Sequence, residues 1–187
     1  MPPPANNAAP DAAVQILANL NLELLLELRA LIEPLTPAQY QEVHAPLESS
    51  IGAHIRHIVE CYEQFAKHSA SGTLSYDRRA RCQDLEGQPE IAIQRIDQVC
   101  QNLRALEQDR PLQLDHVTAQ DSNVASQSSL GRELAHLIDH ATHHLAMVDV
   151  AGKLAQIPLP PELGYSVATL QHLRNQNYLD DAISSNA

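Results

Sequence analysis

The sequence predicts an all-α protein built as a four-helix bundle, with a small β-hairpin ahead of the last long helix. Apolar residues recur at the helical period, not the alternating one, through four long segments. The apolar mass is Leu, Ile, Val and Ala, with few aromatics and no Trp, which suits helices packed on helices. Six Gly in all, none of them clustered, leave no phosphate-cradling loop and no nucleotide fold.

Taken in order, residues 1–10 are rich in Pro, Ala and Asn and read as a disordered leader. Asp11 caps a first helix that runs to about Glu33 and is stopped by Pro34. Thr36 and Pro37 open a short helical turn through Tyr40. Ser49 or Ser50 caps a second helix ending near Gly72, with the stripe Ile51, Ile55, Ile58, Tyr62, Phe65 and Ala66. Residues 73–88 read as a connection that packs Tyr76, Asp77, Arg78, Arg79 and Arg81 into six residues. Pro89 opens a third helix that turns Ala92, Ile96, Val99, Leu103 and Leu106 inward. After Pro111, residues 112–117 alternate like a strand that could pair with 123–127. The fourth long helix runs from Ser129 to Val150, and a short one from Ser166 to about Asn175. Residues 11–176 therefore read as one domain, and 177–187 as a frayed end.

A formal net charge of −11, with no offsetting cluster of Lys and Arg, argues against nucleic acid or an anionic membrane as partner. Cys61, Cys82 and Cys100 show no Cys-x-x-Cys spacing and fit reduced thiols in the cytoplasm. No secretory signal is visible, and the longest apolar region, 14–32, is broken by polar residues and reads as a core helix.

The fourth helix holds the chemistry. Its apolar stripe is Leu130, Leu134, Leu137, Ala141, Leu145 and Val148, and it carries His136, His140, His143 and His144 within nine residues. On the helical wheel His144 lies at the edge of the stripe and His140 just outside it, while His136 and His143 point to the polar side. Imidazoles four residues apart stack one turn apart and can converge on one ion, which then needs a third ligand from elsewhere. The second helix offers His54 and His57, and Cys61 one turn beyond His57 as a softer alternative. The wheel places His54 nearer the apolar stripe than His57. A lone His beside an apolar face is more often a packed side chain than a ligand, and His44, His68, His116 and His172 are read that way.

Two segments, residues 50–57 (Ser-Ile-Gly-Ala-His-Ile-Arg-His) and 139–144 (Asp-His-Ala-Thr-His-His), resemble the two signatures of the DinB/YfiT-like superfamily of metal-binding four-helix bundles. Residues 75–82 and 162–170 also resemble segments of its bacterial members, although the family pattern has an acidic residue where Cys82 stands. The resemblance puts the three metal ligands on His57, His140 and His144, with His54 behind or beside them. It also implies a metal-dependent enzyme. Members include thiol-dependent S-transferases and isomerases, and others are described as metal-dependent hydrolases; the resemblance also makes a homodimer through the bundle plausible.

The expected activity is therefore activation of a low-molecular-weight thiol at a divalent ion: Zn²⁺, Ni²⁺, Fe²⁺ or Mn²⁺. Tyr76, Arg78, Arg79 and Arg81 would orient an anionic group of a small-molecule substrate. Glu133, between His140 and His144 on the wheel, and His54 are the groups available as a base or as partners of the ligands. Hydrolysis by metal-bound water is the alternative chemistry. The non-enzymatic alternative is a stress-related bundle whose ion only stabilises the fold.

Overall fold

The computed structural model describes residues 11–176, so the expected leader and the expected frayed end both lie outside the described residues. Helix α1, Ala12–Ile32, starts where the Asp11 carboxylate accepts the Ala13 N–H at 2.9 Å. The short α2, Pro37–Gln41, is closed by a reciprocal capping box between Thr36 and Gln39. Helix α3, Ile51–His68, is capped by Ser50, whose Oγ accepts the Ala53 N–H. It ends four residues before Gly72, and that glycine takes a positive φ of 79° to turn the chain into a strand.

The connection 73–88 is more ordered than its sequence suggests. It contains strand β1 (Thr73–Leu74), a 3₁₀ turn (Tyr76–Arg78) and helix α4 (Gln83–Gly87). Helix α5, Pro89–Arg104, follows directly. Strands β2 (Pro111–Val117) and β3 (Asn123–Ser129) form the expected hairpin, with Val117 opposite Asn123. The hairpin gains a third strand, because β1 pairs parallel to β2 with Leu74 beside Leu114. Leu74, Leu112 and Leu114 are all buried, so the small sheet adds its own face to the core. Two residues are too few for an alternation to be seen in sequence.

Helix α6, Leu130–Leu154, is capped by Ser129 and continues past Val150, since buried Ala151 and Gly152 pack without breaking it. Helix α7, Val167–Asn175, is capped by Ser166 and buries no side chain. The long helices α1 and α3 each pack against both α5 and α6. Their shared core includes Leu25, Ile55, Phe65, Ile96, Leu134 and Ala141, each essentially inaccessible. The described chain is mostly helical, with one three-stranded sheet.

A buried asparagine ties three of these helices together. Asn21 donates to the carbonyls of Leu17 (2.7 Å) and Leu134 (3.0 Å) and accepts the Tyr62 hydroxyl at 2.6 Å. Asn21→Ala would strand the Tyr62 hydroxyl in the core, and the loss expected is about 3 kcal/mol. Urea unfolding measures it; an unchanged midpoint would show that the three bonds add nothing net.

Candidate metal centre

The helical period sets the histidine cluster. His54 and His57 lie one turn apart on α3, His140 and His144 one turn apart on α6, and the two helices pack side by side. His57, His140 and His144 each offer a ring nitrogen, and all three atoms lie within 4.8 Å of one another. The Nε2 atoms of His57 and His140 are 3.0 Å apart. Nitrogens bound to one ion at about 2.1 Å stand no more than about 4.2 Å apart. The cluster thus needs at most a small closing movement to grip an ion, and three neutral imidazoles are a donor set that Zn²⁺ and its neighbours accept.

The outer partners of two of these imidazoles differ in kind. His144 Nδ1 lies 3.1 Å from His54 Nδ1, and His54 Nε2 lies 2.7 Å from Ser49 Oγ. With protons assigned from the network, His144 donates to His54 and His54 donates to Ser49. That chain leaves His144 Nε2 as a lone pair, the arrangement usual behind a metal ligand. His57 is held in the opposite sense. Arg79 Nη2 donates to its Nδ1 at 2.9 Å, so the ring proton sits on Nε2 and is shared with His140.

Burial, reinforced by Arg79 and His140, pushes the His57 pKa down to about 4. Burial and the neighbouring His57 and His140 push His144 down to about 3, and His54 and His140 are lowered as well. All four are neutral at pH 7, as ligation requires. Because the folded values lie below the ordinary 6.5, the unfolded chain binds more protons once the pH falls under that value. Their contribution to stability is whole above about pH 6.5 and is lost progressively towards pH 4. Thermal melts in chelator should therefore show a falling midpoint over this window, and a shallower fall in His144→Gln. Parallel profiles would mean that His144 titrates normally.

A cavity of about 220 Å³ opens beside the cluster, lined by His57, His140, His136, Tyr76, Cys61 and Arg79 among others. Of the expected anion-binding residues, Arg79 and Tyr76 reach this cavity. Arg78 instead donates to Asn123 on the hairpin at 2.9 Å, and Arg81 is exposed. Burial pushes the Cys61 thiol up to about 11, so it lines the wall protonated.

Glu133, expected near His140 and His144, is wholly buried, and its oxygens are taken by other groups. It accepts from Tyr76 (3.1 Å), Ser128 (2.5 Å) and Arg132 (3.1 Å). The carboxylate thus holds the phenol that walls the cavity, and burial together with Glu133 raises the Tyr76 pKa.

Two participants carry little signal in the sequence. Ser49 reads there only as a candidate helix cap, whereas its hydroxyl supports His54. Glu60, 3% exposed, accepts the Cys82 N–H at 2.7 Å and faces Arg79. A glutamate between buried Val59 and Cys61, three residues from His57, is the signal that could have found it.

The DinB superfamily model matches residues 24–148, the span holding all of these histidines. The chain belongs to the DinB superfamily. FK506-binding protein 5 of Rhizopus delemar is 32% identical to it over 108 residues, 55% of this chain. That stretch is 28% of the fungal protein, so the DinB chain spans only part of its relative's length. No solved structure matches. No described helix of this DinB protein is long and apolar enough to cross a membrane.

Proposed function

We propose that this DinB protein is a metal-dependent enzyme that binds a divalent ion through His57, His140 and His144 and activates a small thiol for S-transfer. In this reading residues 11–176 act as one domain, and α1, α3, α5 and α6 are the four helices of the family's bundle. The observation that carries the proposal is three converging imidazoles, two of which, His57 and His140, line a cavity that also holds a guanidinium. Three protein donors leave coordination positions open, whereas a purely structural site fills them. A bound divalent ion would supply Lewis acidity that lowers the pKa of a thiol or water placed on it.

The protein's own groups do the rest. His54 and Ser49 keep the His144 ring turned towards its partners. Tyr76, fixed by Glu133, and Leu137 wall the cavity and restrict water. Arg79 is the donor placed to receive an anionic group of the substrate, and its fork suits a carboxylate. Hydrolysis is the weaker reading, because both groups nominated as its base, His54 and Glu133, already spend their hydrogen-bonding atoms on neighbours.

The direct test is metal content of untagged protein by elemental analysis, in wild type and His144→Ala. Near-stoichiometric metal that disappears in the variant supports the site. A wild type that also refuses added Zn²⁺, Ni²⁺ and Mn²⁺ removes it. Thiol binding then reads out as sulfur-to-metal absorption in the Co²⁺-loaded protein. There 3-mercaptopropionate should bind roughly tenfold more tightly than 2-mercaptoethanol, the difference one charge-assisted hydrogen bond makes. The ratio should fall to near one in Arg79→Met; equal affinities in wild type would take the anion-binding role away from Arg79.

A further inference from the structure

Arg79 is held in a position that leaves it incompletely bonded. Its Nη1 donates to the Tyr76 carbonyl at 3.1 Å and its Nη2 to His57 Nδ1 at 2.9 Å. Its Nε is buried and has no hydrogen-bond partner. Its ion-pair partner is Oε2 of Glu60, 3.5 Å away, and that oxygen is buried and accepts no hydrogen bond either. The other Glu60 oxygen is committed to the Cys82 N–H, with the Arg56 Nε standing 3.8 Å from it. Nε and Oε2 thus form an ion pair with no hydrogen bond between them, and a small movement would close one.

The guanidinium is meanwhile engaged by its contact with His57. That contact requires a lone pair on Nδ1 and a proton on Nε2. An imidazole that gives Nε2 to an ion carries its proton on Nδ1, where it can no longer accept from a guanidinium. His144, with His54 behind it as an acceptor, meets no such conflict. His57 therefore cannot serve as an Nε2 ligand while Arg79 stays where it is.

From this geometry we infer that Glu60 is a positioning residue for the proposed site: when His57 becomes a ligand, Arg79 leaves it and closes the Nε–Glu60 hydrogen bond. The inference rests on the three-histidine reading above and deepens it. Glu60 draws the guanidinium off the ring and anchors it by the edge opposite the cavity. Nη2 is thereby released from His57 and becomes available to an anionic group of the ligand. The Tyr76 carbonyl, which accepts from Nη1, is the pivot.

The test follows the Arg79 Nε–H resonance by ¹⁵N NMR, assigned by its loss in Arg79→Met, while untagged protein is titrated with Zn²⁺. On saturation the resonance should move downfield and its solvent exchange should slow about tenfold, the protection of one charge-assisted hydrogen bond. Glu60→Gln, which keeps an acceptor for the Cys82 N–H, should lose most of that protection. Arg79→Met should bind Zn²⁺ roughly tenfold more tightly than wild type, since no hydrogen bond to His57 has to be broken. If Glu60→Gln does not fold, this affinity and the wild-type resonance still decide the matter. A resonance unmoved at full Zn²⁺ occupancy, or Arg79→Met binding no more tightly than wild type, overturns the inference and leaves the metal site intact. A wild type that takes up no ion refutes the site itself, and this inference with it.

Discussion

His140→Ala is expected to lower affinity for a divalent ion by more than about a hundredfold while leaving helix content nearly unchanged. Loss of groups merely behind a ligand costs about 10–100-fold, so loss of one of three direct donors should exceed that range. The ring is half-buried just outside the α6 stripe, with Nε2 3.0 Å from His57 Nε2, and is not part of the core proper. Neighbouring Ala141 carries the packing there, being fully buried. Competition with a chromophoric chelator, beside far-ultraviolet circular dichroism, separates the two effects. His44→Ala and His172→Ala are the controls: His44 lies beside Glu42, 3.5 Å from its carboxylate, and His172 is exposed on α7. Ion affinity retained in His140→Ala, or lost in either control, would show that the ligands have been misassigned.

The second large effect is expected at Gly52, two residues before His54. A Cβ built there would stand 2.2 Å from the Glu86 carbonyl oxygen and 2.8 Å from the Tyr40 ring. Neither neighbour can yield cheaply. Tyr40 is fully buried and its hydroxyl donates to the Leu85 carbonyl at 2.9 Å. The Glu86 side chain, in turn, is bound to Arg56 on the next turn of α3. Gly52→Ala must therefore push α4 off α3. Overpacking of this kind costs about 3 kcal/mol or more, equivalent to a fall of roughly 10 °C in melting temperature for a chain of this size. Because Arg56 also approaches Glu60, ion affinity should weaken along with stability. A melting temperature within a degree of wild type would mean that α4 sits on α3 more loosely than the contact implies.

Much of the architecture was legible in the residues. Asp11, Thr36, Ser50, Ser129 and Ser166 each cap a helix, and Pro89 opens one at its first position. The strand ahead of α6 shows in the alternation of Leu112 and Leu114, whereas its register against Asn123–Ser129 does not. Less legible were the ends of α3 and α6 and everything between Gly72 and Pro89. Short elements there are held by distant partners such as β2 and α3, and their own periodicity is too brief to register.

The candidate centre divides the same way. His140 and His144 follow from helix geometry alone, since residues four apart must share a face. Choosing His57 over His54 took more than the wheel, which favoured His54 because that side chain is indeed the more buried of the two. Packing of α3 on α6 gives them different partners: Nε2 of His57 meets His140, while His54 backs His144. Arg79 and Arg81 look alike in sequence, yet Arg79 lines the cavity because His57 and the Tyr76 carbonyl hold it, and Arg81 is left in solvent. Glu133 lay on the favoured side of the wheel, and the buried hydroxyls of Tyr76 and Ser128 claim it. Local sequence suffices for the helices, their caps and the face each histidine shares, because those depend on residues within a turn or two of one another. Which nitrogen meets which partner was settled by packing, since those choices join residues that lie far apart in the chain and meet in a low-dielectric interior where an unpaired polar atom is costly.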